Sequence, residues 1–193
     1  GDGVDPDLVG SLVPSLLGTE SSRAELVSAL ASDQLGVQKK GTLLKALGRL
    51  PSLPEELRPA VTALFESDQP EILFPLLSLV PRFSGGEFAK PLMLLAIQRD
   101  VSSSLRVRAA SLAMQERGGL PQSVLSVLTR TLSRKGGNPL DRREAARALG
   151  RMTLGPRNSS NAYQLIHFIP LVSSLELVEI LHPFEALVDN TPL

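Results

Sequence analysis

An all-α fold, a right-handed solenoid of about five or six stacked helical hairpins, is what this sequence predicts, and three observations carry the prediction. The hydrophobic 42% of the chain is mostly Leu and Ala, while aromatics are 4%, with one Tyr and no Trp. Leu and Ala rank high in helix propensity, and aromatics are among the residues strands favour. Helix-start residues alternate with Pro and Gly breakers along the whole chain. Apolar positions also recur at one constant step in two interleaved series.

The starts can be taken in order. Asp5 precedes Pro6, which pairs a capping side chain with a proline at the first helical position. Ser22-Arg23-Ala24-Glu25 fits a capping box, and Asp68, Ser104, Asn138 and Asn158 are further starts. Pro51, Pro54, Pro81, Gly85-Gly86, Gly118-Gly119, Gly136-Gly137, Gly155-Pro156 and Pro170 break the pattern between them. The intervals predict helices near 5–17, 22–31, 35–49, 55–66, 69–80, 86–98, 104–117, 121–134, 140–153, 158–169 and 174–187. Pro14 and Pro75 fall inside apolar helices and are expected to bend them, whereas a proline in a first turn, the other position open to Pro59 and Pro91, costs no such bond.

The repeat lies in columns. Leu44, Leu77 and Ala110 are 33 apart, as are Leu43, Leu76 and Ala109, and Leu47, Val80 and Ala113. The alternate helices place Val61, Leu94 and Val127 in one column and Leu64 and Ile97 in another, which breaks at Arg130. Two series with one period predict a helical hairpin whose apolar faces are covered only when neighbours stack on both sides.

The segment from Asn138 through Pro139-Leu140-Asp141-Arg142-Arg143-Glu144-Ala145-Ala146-Arg147-Ala148-Leu149-Gly150 resembles the first helix of a HEAT repeat. Its Pro and Asp stand near the start, and an Ala-Ala-x-Ala-Leu-Gly core follows. Leu105-Arg106-Val107-Arg108-Ala109-Ala110 and Leu43-Leu44-Lys45-Ala46-Leu47-Gly48 are further copies, and the period extends the likeness over about residues 33–169. The resemblance implies a fold and says little of activity, because many functions share such scaffolds. A second resemblance lies at the end, in Phe168-Ile169-Pro170-Leu171, Leu175-Glu176-Leu177 and Pro183-Phe184-Glu185. These are similar to helical-repeat segments of large exported bacterial proteins that join a propeller dehydrogenase-like domain to a c-type cytochrome domain. It implies a helical accessory segment of a redox protein, with any haem motif outside this chain.

At 193 residues the chain suits a single domain, 1–193. It opens Gly-Asp-Gly-Val-Asp, without a starting Met or a basic region leading into an apolar one, so a processed or excised form of a longer chain is expected. The second resemblance tilts the expected compartment toward export. The longest apolar runs, such as Ile72 to Leu77, are far shorter than the roughly 20 residues a membrane helix needs, so no span is expected.

Chemistry-bearing patterns are sparse. With no Cys, disulfides, thiol catalysis and Cys-ligated metals are excluded from this chain. His167 and His182 are fifteen residues apart with no His-Glu-x-x-His spacing, and Glu55-Glu56 reads as a first-turn pair favoured by the helix dipole. Neither a Gly-x-Ser-x-Gly elbow nor a phosphate-cradling Gly-x-x-x-x-Gly-Lys loop occurs. The chain is therefore expected to be non-catalytic, with no cofactor and no metal.

Charge is uneven although the net value is zero. Residues 99–157 hold twelve Lys and Arg against four acids, residues 1–98 hold eight against twelve, and residues 158–193 hold none against four. In the basic block, Arg143, Arg147 and Arg151 share one helix face by their four-residue spacing. Guanidinium forks match carboxylates and phosphates, so these three are the candidate anion- or partner-binding residues. The stripe reads first as a solvated outer face whose charges meet nearby acids such as Glu144 or the acidic C-terminal block, and second as an anion-binding ridge. Nucleic acid is not the expected partner, since the basic block has no aromatic residue on which a base could stack. The expected partner is another protein or another domain of the parent chain.

Overall fold

The computed structural model describes residues 18–32, 34–83, 85–117, 120–151 and 178. Among these residues every regular element is helical. The α-helices are α1 (Glu20–Ala31), α2 (Val37–Leu47), α3 (Arg58–Ala63), α4 (Pro70–Leu79), α5 (Ala89–Ile97), α6 (Ser103–Arg117), α7 (Gln122–Ser133) and α8 (Pro139–Gly150). Short 3-10 turns at Glu55–Leu57 and Leu64–Glu66 flank α3, and Val80–Arg82 extends α4. The all-α expectation is met over this stretch. The helices expected near 5–17, 158–169 and 174–187, the Asp5-Pro6 and Asn158 starts, Pro14 and both histidines lie outside the described residues. Val178 alone of the last segment is described, and it is helical.

Local signals place several starts one to three residues from where the residue types suggest. Helix α1 is capped by Thr19, whose Oγ1 accepts from the Ser22 backbone N at 3.2 Å. Ser22 is therefore the third helical residue and not the cap, because Thr19 offers the same hydroxyl one turn earlier. Asp68 caps nothing either; its carboxylate accepts from the Gln69 side chain at 2.8 Å, and α4 begins at Pro70. Ser104 sits inside the first turn of α6 instead of capping it. Asn138 does cap α8, its Oδ1 accepting from Leu140 N at 3.0 Å with Pro139 in the first turn. Pro59 and Pro91 likewise occupy first turns, where a missing N–H costs nothing.

The described residues fall into two compact units divided between Pro91 and Leu92. In the first, α4 is the central helix. Ile72, Leu73, Leu76, Leu77, Leu79 and Val80 are all buried, and Pro70, Glu71, Phe74 and Ser78 are the exposed residues of the helix. Helix α2 packs against α4, and α1 packs against α3 and the turn before it. The approach of α2 to α4 is close at one point. A Cβ at Gly41 would lie 2.5 Å from the Glu71 carbonyl oxygen and 3.8 Å from the Pro75 ring. Pro75 has no N–H to give the Glu71 carbonyl, the acceptor four residues back, so that carbonyl lacks its usual helical donor. The same proline that weakens α4 thus leaves an oxygen turned toward a residue whose missing side chain lets α2 come in.

Phe65 and Phe88 pack with ring centroids 5.9 Å apart, and both are buried. Arg58 donates to the Glu87 carboxylate and, at 3.5 Å, to the Leu53 carbonyl, which ties the α3 start to the loop before α5. Arg23 pairs with Glu56 at 3.6 Å, giving one member of the first-turn acid pair a partner.

In the second unit α6 is central, with Leu105, Val107, Ala109, Ala110, Leu112, Ala113 and Met114 buried. It packs against α7 and α8, and α7 packs against α8. The buried face of α8 is Ala145, Ala146, Ala148 and Leu149. Small residues on both α6 and α8 suit close helix approach, since interaxial distance follows side-chain size at the contact. One polar group is caught in this core: Ser111 is fully buried and its Oγ has no hydrogen-bond partner.

All nine positions of the first repeat columns, from Leu43 to Ala113, are buried. The alternate series differs from expectation. Val61, Leu64 and Val127 are buried, but Leu94 is 57% exposed and Ile97 40% exposed. The buried residues there are Phe88, Leu92, Leu95 and Ala96, each 31 positions after Leu57, Val61, Leu64 and Phe65. A two-residue slip turns a helix face by about 200° at 3.6 residues per turn, so a shorter connection before α5 reverses which residues point inward.

Replacing Gly41 with Ala should lower stability by about 1–3 kcal/mol, because the methyl meets backbone that cannot swing aside. Gly85→Ala, with open space around it, should stay within about 0.5 kcal/mol. Urea unfolding measures both, and equal midpoints would show that the α2–α4 approach is not tight. In the second unit, Ser111→Ala should raise stability by about 1 kcal/mol, since it removes a buried hydroxyl left unsatisfied. A lowered midpoint for that variant would mean the hydroxyl has a partner.

Candidate functional site

Among the described residues, no three His, Asp or Glu side chains gather as a metal site would need, and no helix is long and apolar enough to cross a membrane. The predicted stripe is on α8 and its end: Arg143 is exposed, Arg147 half-buried, and Arg151 exposed at the C-cap. The three lie opposite the buried Ala145, Ala148 and Leu149, as their spacing requires. Arg143 and Arg147 are each already engaged in an interaction.

A different set of arginines is brought together in the second unit. A cleft of about 490 Å³ is bordered by the end of α5, the start of α6, one face of α7 and the turn into α8. Arg99, Arg106, Arg130 and Arg134 line it, with Asp141 as the one acid among the lining residues, which leaves a net +3. Arg106 is pinned by its Nε, which donates to the Ala96 carbonyl at 3.0 Å. Asp141 accepts through Oδ2 from the Ser104 Oγ at 2.8 Å. Arg99, Arg130 and Arg134 are exposed, and no carboxylate among the described residues pairs with them.

The floor of the cleft is built by the connection from α7 to α8. Gly136 has φ +74°, a left-handed conformation that a side chain would strain, so the chain can turn sharply after α7. Arg142 reaches back from α8 and donates through Nη1 to the Leu132 carbonyl and, at 3.1 Å, to the Arg134 carbonyl. A guanidinium on the last carbonyls of α7 satisfies acceptors the helix leaves open and opposes the negative end of its dipole. The result is a fixed turn that presents Arg134 beside Arg130.

Counting charge along the chain located the basic block but pointed to a face of it other than this cleft. The missed signal was Arg130 itself, which interrupts an otherwise apolar column, with Arg134 one turn further on the same side. In the first unit a groove of about 630 Å³ runs between α2 and α4, bordered by Gly41, Lys45, Phe74, Ser78 and Arg82. Phe74, half exposed, lines it with Leu44, Pro70, Pro75 and Leu79, and its charged residues are Lys45, Arg49, Arg82 and Glu71.

No protein-family model matches the chain, and no curated protein and no solved structure matches it.

Substituting Gln for Arg142 removes a charged donor from two carbonyls and should cost about 1.5–3 kcal/mol. Amide exchange at Gly136 and Gly137 should quicken in the same variant. Unchanged exchange would mean that glycine geometry alone holds the turn.

Proposed function

We propose that this chain is a non-catalytic interaction module, a right-handed solenoid of HEAT-like helical hairpins that offers its concave or arginine-bearing face to another protein or another domain of its parent chain. The observation that carries the reading is the packing of alternate helices. Helix α2 packs on α4 in one unit and α6 on α8 in the other, each skipping the helix that lies between them in sequence. The matching buried columns recur at one step from α2 to α4 to α6, as in Leu44, Leu77 and Ala110. A slightly longer step carries Ala109, Ala110 and Ala113 to Ala145, Ala146 and Leu149. Packing of this kind is what stacked hairpins require, because each hairpin finishes burying its first helix on the next. Arrays of hairpins offer long surfaces, and a surface with uncommitted arginines suits an acidic partner.

Scattering and cross-linking together test the reading. A compact bundle of this length would have a radius of gyration of about 16 Å, and an extended array should clearly exceed that as a monomer. Cross-linking the protein in an extract of its own source should join it repeatedly to one protein or one domain of its parent. A radius no larger than that of the compact bundle removes the solenoid, and cross-links at background level to many proteins remove the interaction role.

A further inference from the structure

We infer that the cleft of the second unit is a docking groove for an extended acidic peptide segment, held by Arg130 and Arg134 on one wall and Arg99 and Arg106 on the other. The inference rests on the interaction reading and specifies the chemistry of the partner.

The shape supports an extended occupant. Along α7 the lining runs from Ser123 through Ser126, Val127 and Arg130 to Arg134, positions that share one face of the helix. Eleven residues of helix rise span about 16 Å. An extended peptide advances about 3.3 Å per residue, so about five of its residues fill that length.

The spacing of charge supports carboxylates at alternate positions. Arg130 and Arg134 are four residues apart, hence about 6 Å along the axis. Same-side residues of an extended strand recur at about 6.6 Å, so every second acid of a peptide meets one guanidinium. Arg106 is anchored to Ala96 before anything binds, which lowers the ordering cost of that contact. Ile97, 40% exposed at the edge of the cleft, gives an apolar contact beside the charges. No aromatic residue lines the cleft, so a nucleic acid strand would find phosphate contacts but no platform for its bases.

The test uses the full chain and a fluorescein-labelled hexaglutamate peptide, read by fluorescence anisotropy at low salt, with labelled hexaglutamine and hexathymidylate as comparison probes. Hexaglutamate should bind at least tenfold more tightly than either comparison probe. R130Q/R134Q, two exposed positions, should weaken hexaglutamate at least tenfold while the far-ultraviolet circular dichroism stays that of the wild type. R108Q/R117Q, two exposed arginines of the basic block outside the cleft, should change it less than twofold. Equal losses in the two variants would make the binding a general effect of basic charge and overturn the groove. Tighter binding of hexathymidylate would overturn the acidic-peptide assignment, and no binding of hexaglutamate would end it. A failure here with a specific cross-linked partner in hand removes the groove alone, whereas hexaglutamate binding without any such partner removes the wider interaction role.

Discussion

The two central helices, α4 and α6, carry more apolar surface than one neighbour can cover, and the packing of the described residues follows from how the remainder is hidden. Helices α4 and α6 are buried on nearly every side, with narrow outward stripes such as Glu71, Phe74 and Ser78. A helix of that kind cannot stand at the edge of a hairpin. It must be flanked both by its sequence neighbours and by a helix two places away. The contacts of α2 with α4 and of α6 with α8 meet that demand. Where α2 and α4 come close, the residue is the one that takes least room, Gly41 against Glu71 and Pro75, and the buried faces of α6 and α8 are rich in alanine.

Polar interactions have a different role, which is to fix the connections and not the core. Arg58 with Glu87, Arg142 with the end of α7, and Ser104 with Asp141 each join an element to a loop or to the first turn of another helix. Such bonds set where a helix begins and which way its face points. The exposed Leu94 and Ile97 show how sensitive that setting is, since a shift of two residues in the connection reverses inside and outside. The same shift leaves Ile97 at the border of the arginine cleft, so the departure from regular repeat also shapes the surface.

The cleft gains its character from what is left unpaired. Most of the arginines of the basic block that lie on α8 are spent on other groups, Arg142 on carbonyls and Arg143 and Arg147 in further interactions. Those of α7 and the α5–α6 connection are not paired with acids among the described residues. A positive, partly walled surface of this kind concentrates anions and steers them before contact, and its effect falls as salt rises.

Leu and Ala content, the breaker spacing and the columns from Leu43 to Ala113 by themselves determined that the described chain is all helical, where most helices fall and which faces of α2, α4 and α6 are buried. These properties are local or periodic, so they are written in neighbouring residues. The asparagine cap of α8 was legible for the same reason, whereas the first-turn positions of Pro59 and Pro91 followed from where α3 and α5 begin. Tertiary structure decided the rest: that Thr19 and not Ser22 caps α1, that α5 turns Leu94 outward, and that Arg99, Arg106, Arg130 and Arg134 share a cleft while the evident stripe of Arg143, Arg147 and Arg151 lies elsewhere. These outcomes depend on loop lengths and on which helix packs on which, and residues as far apart in sequence as Arg99 and Arg134 become neighbours only after the chain has made those turns.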